Sequence, residues 1–365
     1  MRYLFWIFLI FILSIRLIIF YTLKSTYPDG TKFRITDKVT SEPIRYSKAQ
    51  YLKLQGFKIY LPPFPELSYG DKVVIEGEVF NDPEKAGINL RKVKLVKVEE
   101  ADSLLYLFRE RLIAFYSSVL PQPHSALISG VTLGSKSSIP PKFWESLKKS
   151  GTAHIVVASG MNVALVSGFL MGIMTIYFRR RNAIPLAIAG TWIYALMSGF
   201  DAPIIRAAIM GSLVFTTEIL GRVSTALKLL LITAVGMLIF KPEWLTDLGF
   251  LLSFFATASL LLLEKKVYRL LKFVPEGLGI FKKDLSTSLT AQIGVAPILF
   301  ATFGQFSLLS PLINALILWT IVPMTILGMV GGLLGLIFEP AGTFVLWLVY
   351  PLTSWFIGII NLMTN

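Results

Sequence analysis

The residues best placed to do chemistry lie in Lys149-Ser150-Gly151-Thr152-Ala153-His154-Ile155-Val156-Val157-Ala158-Ser159-Gly160-Met161-Asn162-Val163, where His154, Ser159 and Asn162 enter an apolar run long enough to cross a bilayer. Polar side chains held in lipid or between helices must each find partners, so such a string faces a bundle interior or a water-filled path. Nucleophilic catalysis is the first chemistry to weigh. His154 and Ser159 are five residues apart, about 140° around an ideal helix, so they pair only across a break, which Gly160 would supply. Ala158-Ser159-Gly160 lacks the preceding glycine of a nucleophile elbow, and no carboxylate stands nearby to orient the histidine. Metal chemistry fares no better. The two histidines, His124 and His154, have no acidic or histidine neighbour at ligand spacing, and cysteine is absent. No catalytic residue, metal site or cofactor is expected.

Further polar groups recur along the apolar remainder. Arg206 is a lone arginine just inside a span, preceded by Asp201; either the two pair at the outer interface, or Arg206 lines a conduit and meets anions. Ser253, Gln292, Gln305 and Asn314 extend the set on later spans, while Pro297, Pro311 and Pro323 with Gly328, Gly331 and Gly332 imply broken or closely packed helices. His154 and Asn162 serve equally well as hydrogen-bonded locks between spans.

These groups need a membrane scaffold to hold them. Hydrophobic residues make up 54% of the 365, against 16% charged, and mean hydropathy is +0.67, far too apolar for a soluble globular chain. The fold expected is a polytopic α-helical membrane protein with about nine transmembrane helices, near 3–23, 154–178, 183–200, 203–220, 224–240, 245–263, 285–303, 308–336 and 340–361. Residues 1–23 read as an uncleaved anchor, because the apolar core outruns a signal-peptide h-region and no small-residue cleavage site follows Lys24. Arg179, Arg180 and Arg181 in one loop and Lys265, Lys266, Arg269, Lys272, Lys282 and Lys283 in another are expected on the cytoplasmic side. That threading puts the N-terminus inside, residues 24–153 outside and the protein in the cytoplasmic membrane. Much of the +13 net charge sits in those loops, where topology alone explains it.

Residues 24–101 read as a small all-β domain, with strands at Phe33 to Val39, Tyr51 to Leu61, Lys72 to Phe80 and Leu90 to Glu99. The alternation slips by one residue at Val96, as a β-bulge would allow. Tyr69 to Val79 looks like the turn and strand of an OB-fold, a fold that often stacks single-stranded bases on aromatics along a basic groove. Lys32, Arg34, Lys53, Phe57, Lys58 and Tyr60 are the candidate DNA contacts, and barrel core with a solvated lysine face is the alternative. Residues 102–153 are expected as interfacial amphipathic helices, one over Ser103 to Leu120, whose apolar run Arg109, Glu110 and Arg111 interrupt, and one over Pro141 to Ser150. Residues 154–365 then form the transmembrane domain.

KSGTAHIVVASGMNVALVSG resembles the signature of the ComEC-type competence family. Leu133-Gly134 with Lys136, Gly199-Phe200-Asp201-Ala202-Pro203 leading to Arg206, Leu248 to Phe254, and Ala291-Gln292 through Pro297 to Phe303-Gly304-Gln305 resemble that family's later landmarks in order. Asn162 departs from the pattern, since many members carry a second histidine there. The resemblance implies a channel that imports single-stranded DNA across the membrane during natural transformation, lined by His154, Ser159, Gly160, Asn162, Asp201, Arg206 and the later polar groups. It implies a lipid bilayer around the chain and a DNA receptor outside; since no P-loop is present, the driving force is expected from a cytoplasmic translocation motor, the proton gradient or binding proteins inside, and since no metallo-β-lactamase-like segment follows the last span, strand degradation is expected to be absent or supplied by a separate nuclease. It leaves the oligomeric state open. A small-solute or ion transporter with an outer β-domain and a membrane-embedded hydrolase using Ser159 are the competing readings.

Overall fold

The computed structural model describes residues 2–23, 27–40, 42–46, 49–80, 88–136, 138–156, 159–221, 224–303 and 309–364, and every count refers to these. Helix α1 (Arg2–Leu23) leads into strands β1 (Lys32–Lys38), β2 (Ile44–Arg45), β3 (Gln50–Leu54), β4 (Phe57–Leu61), β5 (Lys72–Phe80) and β6 (Ile88–Glu99). They form one sheet in the order β1-β5-β6-β4-β3-β2, antiparallel except where β4 meets β6. Strand β1 also approaches β3, so the sheet curls toward closure around Ile35, Leu52, Ile59, Leu67, Val73 and Ile75.

Two details of this sheet follow from local chemistry. The single strand expected over Tyr51 to Leu61 is a hairpin instead, because Gln55 and Gly56 take φ of 47° and 85° and reverse the chain in two residues. Left-handed values at both central positions are what a tight hairpin with matching twist demands. The slip at Val96 is a real bulge: Val74 pairs with Lys97 and Ile75 with Leu95, leaving Val96 as the extra residue.

The rest of the chain is helical: α2 (Leu104–Val119), α3 (His124–Leu133), α4 (Pro141–Lys149), α5 (Ala153–Val156), α6 (Gly160–Tyr177), α7 (Arg180–Met197), α8 (Ala202–Ile219), α9 (Ala226–Phe240), α10 (Leu248–Leu270), α11 (Gly279–Phe303), α12 (Ser310–Ile337) and α13 (Glu339–Thr364). Seven stretches are long and apolar enough to cross a membrane: those of α1, α5 with α6, α8, α10, α11, α12 and α13. The windows expected at 183–200 and 224–240 fall on α7 and α9, which are not among the seven; α7 opens on Arg180 and Arg181, and α9 has 15 residues.

Close packing concentrates at α12. A Cβ on Gly331 would stand 3.1 Å from Leu346 of α13, and one on Gly328 would stand 2.7 Å from Thr132 of α3. The Tyr116 hydroxyl of α2 donates to the Gly328 carbonyl at 3.0 Å, so α2 and α3 lie against the same glycine-lined face. Pro297 and Pro323 sit inside continuous helices and Pro311 in the first turn of α12, so the expected helix breaks do not occur at these prolines.

Candidate functional site

Arg206 stands in the second turn of α8, and its Nε donates to the Ser253 hydroxyl of α10 at 2.6 Å. The guanidinium lies 5.9 Å from the centroid of the Phe254 ring. Gly160 opens α6 against it, and a Cβ there would stand 2.6 Å from Arg206 Nη2 and 3.4 Å from Ala207 Cβ. Three helices thus close on one cation, and a larger first residue of α6 would displace the end of the guanidinium. Among the described residues no carboxylate pairs with it. Asp201 is turned away: it is the N-terminal cap of α8, in extended backbone at φ −66° and ψ 154°, and its carboxylate meets Lys136 Nζ at 3.2 Å. Of the two readings of Arg206, pairing with Asp201 is therefore removed, because five residues of helix turn the two side chains to different sides.

The break expected near Gly160 exists, just ahead of it. Helix α5 ends at Val156, Ser159 is extended at φ −114° and ψ 166°, and α6 starts at Gly160. Asn162 follows, fully buried, and its Nδ2 donates to the Val131 carbonyl at 2.9 Å. Helix α3 ends on Gly134 in the left-handed region, whose N–H takes the Gly130 carbonyl while Ser135 N–H takes that of Ser129. Val131 is one of the terminal carbonyls a helix leaves over, and Asn162 satisfies it. Asn162 Oδ1 is buried without a partner among the described residues.

A second polar group forms around the Gly151 carbonyl. It receives the Ser310 hydroxyl of α12 at 3.3 Å, and Asn314 Nδ2 donates to that same Ser310 hydroxyl at 3.4 Å. The His154 side chain is exposed. Gln292 is half-buried on α11, and Gln305 lies outside the described residues. Among the described residues no three His, Cys, Asp or Glu side chains gather as a metal ion would need.

The β domain is fixed to one end of the bundle. Arg109 of α2 and Glu42, both buried, pair at 2.7 Å, and Ser135 donates to the second Glu42 oxygen at 3.1 Å. The Tyr69 hydroxyl donates to the Leu196 carbonyl at 2.7 Å, and Lys53 Nζ meets Asp247 at 3.2 Å. Leu196 is at the end of α7 and Asp247 caps the start of α10, so the domain covers the ends of these helices opposite to Arg180 and Arg181 and to Lys265, Lys266 and Arg269. Neither Glu42 nor Arg109 stood out in the sequence, where Arg109 read as an interruption of a surface helix.

The outer candidates divide. Phe57 is 7% exposed and packs against Tyr27 and Phe33 in the β core, so its ring has no free face; its place as a DNA contact is corrected here by the alternation of β4, which turns Phe57 and Ile59 inward. Lys32 and Arg34 are exposed but face Glu78 and Glu76 across β5. Tyr60 is 52% exposed, Lys53 is exposed beside Asp247, and Lys58 is half-buried.

Residues 131–365 match the profile of a family described as "Competence protein". The chain belongs to that family, the ComEC-type competence family. "ComE operon protein 3" of Bacillus subtilis (strain 168) is 29% identical over 57% of this chain and 26% of its own length. "Competence protein ComA" of Neisseria gonorrhoeae is 26% identical over 56% of this chain and 30% of its own. An uncharacterized protein of Aquifex aeolicus (strain VF5) is 30% identical over 49% of this chain and 39% of its own. The chain thus spans well under half the length of these relatives. No solved structure matches it. Family and helices together make it a helical membrane protein, and the Arg206 cluster and His154 both fall in the part that the family shares.

Proposed function

We propose that this protein is a conduit for single-stranded DNA in the cytoplasmic membrane, acting in DNA uptake without bond-breaking chemistry of its own. The observation that carries the reading is Arg206, a cation without a carboxylate partner among the described residues, held by Ser253 and admitted by Gly160 where α6, α8 and α10 meet. A cation in an apolar bundle is costly unless hydrated or met by anions, and a passing phosphodiester is such an anion. The bundle would use nine spans, with α7 and α9 completing the seven apolar ones, and His154, Ser159 and Asn314 would join Arg206 along the path. The sheet order, with its one parallel pair, supports an OB-like barrel. That barrel would lie outside, since it docks opposite to the arginine and lysine loops, which the positive-inside rule assigns to the cytoplasm. A receptor outside and a cytoplasmic motor would be its partners.

Orientation and path are tested together by thiol labelling, for which the cysteine-free sequence is already suited. Cysteine at Lys53 should react with an impermeant maleimide from outside and cysteine at Arg181 only after permeabilisation. Cysteine at Ser159 should react from outside, and added oligonucleotide should slow it. Reaction of the Arg181 position from outside, or an inert Ser159 position, would refute the topology or the aqueous path.

A further inference from the structure

We infer that the cavity between α4, the turn ahead of α3 and the end of α13 holds the phosphate headgroup of one anionic glycerophospholipid. The inference does not depend on what passes through the bundle, only on the chain being a membrane protein. The cavity has a volume of about 310 Å³, and its polar wall is Gln122, Lys142, Ser146 and Asn361. One ammonium, two amides and a hydroxyl make a donor-rich set, and no carboxylate lines the cavity. Among the described residues none of these four side chains has a hydrogen-bond or ion-pair partner. A phosphodiester is their complement, an anion whose oxygens only accept. The other wall is apolar and fixed, since Phe143 and Ile357 belong to the buried cluster of the bundle at 7% and 9% exposure.

Depth selects a lipid over a free anion. Helix α13 rises about 33 Å from Glu339 to Asn361, which is about the thickness of the hydrocarbon layer. With Glu339 at one boundary, Asn361 stands at the other, at headgroup level. The indole N–H groups of Trp319 and Trp355 both donate to the Leu316 carbonyl at 2.9 Å and both rings are exposed, as tryptophans near the membrane interface are. From Asn361 back toward the bilayer centre the surface of α13 is open and apolar: a Cβ on Gly358 would meet nothing within 4 Å, and Trp355 and Leu348 are exposed. Acyl chains run along that face when the headgroup fills the cavity. A choline headgroup would bring a second cation beside Lys142 with no carboxylate to receive it, so the complement is an anionic headgroup.

The test is native mass spectrometry of the full chain, purified in detergent and supplied with equal amounts of dioleoylphosphatidylglycerol and dioleoylphosphatidylcholine. Wild type should retain one phosphatidylglycerol in preference to phosphatidylcholine. Lys142→Gln should lower that retention on the order of tenfold, and Asn361→Leu should lower it as well. Lys142 is exposed, so its replacement leaves the fold in place. Lys149→Gln removes the same charge from the same helix outside the cavity and should retain the lipid. Equal retention of the two lipids by wild type, unchanged retention by Lys142→Gln, or equal loss from Lys142→Gln and Lys149→Gln would overturn the site. Displacement of the lipid by millimolar inorganic phosphate would assign the cavity to a free anion and overturn it too.

Discussion

Arg206 donates to Ser253 at 2.6 Å, and this bond ties α8 to α10 at the spot where Gly160 lets α6 close in. The contact joins two landmarks of the family resemblance that lie 47 residues apart in the chain. It also makes the size of residue 160 a constraint on where a charge sits.

Gly160→Ala tests that constraint. The added Cβ would stand 2.6 Å from Arg206 Nη2, so the end of the guanidinium must shift against its Nε bond to Ser253. A hydrogen bond to a charged group is worth roughly 1.5–3 kcal/mol, so strand uptake should fall about tenfold or more while the protein stays folded. Uptake and thermal unfolding measured on the same preparation decide it; unchanged uptake would mean the cation has room that the geometry denies.

Asn162→Leu removes the donor that satisfies the Val131 carbonyl at the end of α3. A buried acceptor left unpaired costs about 1–3 kcal/mol, and the whole cost should appear as lost stability in chemical unfolding. If Asn162→Leu were as stable as wild type but blocked uptake, Asn162 would belong to the path and not to the lock.

Glu42→Gln breaks the buried pair that docks the β domain, leaving Arg109 with only Glu110 of its own helix, at 3.2 Å, as a carboxylate partner. Removing one member of such a pair costs roughly 3–5 kcal/mol, whereas replacing both by apolar residues of similar volume is often neutral. The single variant should unfold early or release the β domain to limited proteolysis, and Glu42→Leu combined with Arg109→Met should recover. A single variant as resistant as wild type would mean the docking rests on Tyr69 and Lys53 alone.

Features that repeat over a span or a strand were legible in the sequence. Apolar windows located every long helix, the slip at Val96 announced its bulge, and the polar string through His154 and Asn162 marked the break before α6. What escaped depends on contacts distant in sequence. Arg109 looked like a flaw in an amphipathic helix because Glu42, its partner, is 67 residues away. Nearness in sequence left a pair of Asp201 and Arg206 as one of the open readings, yet the α8 cap turns Asp201 to Lys136, a residue 65 positions earlier. The Gln55-Gly56 reversal was missed for another reason: a non-glycine residue at positive φ precedes the glycine, so the usual Asn-Gly or Asp-Gly signal is absent.

The most direct measurement is passage of fluorescent single-stranded DNA into the nuclease-protected lumen of proteoliposomes carrying this protein, under an imposed gradient, with wild type beside Arg206→Leu. The account predicts protein-dependent passage by wild type and loss on the order of tenfold or more in Arg206→Leu, the variant's fold being intact. Equal passage by both proteins would contradict the central role given to Arg206, and flux of small solutes with none of DNA would contradict the conduit itself.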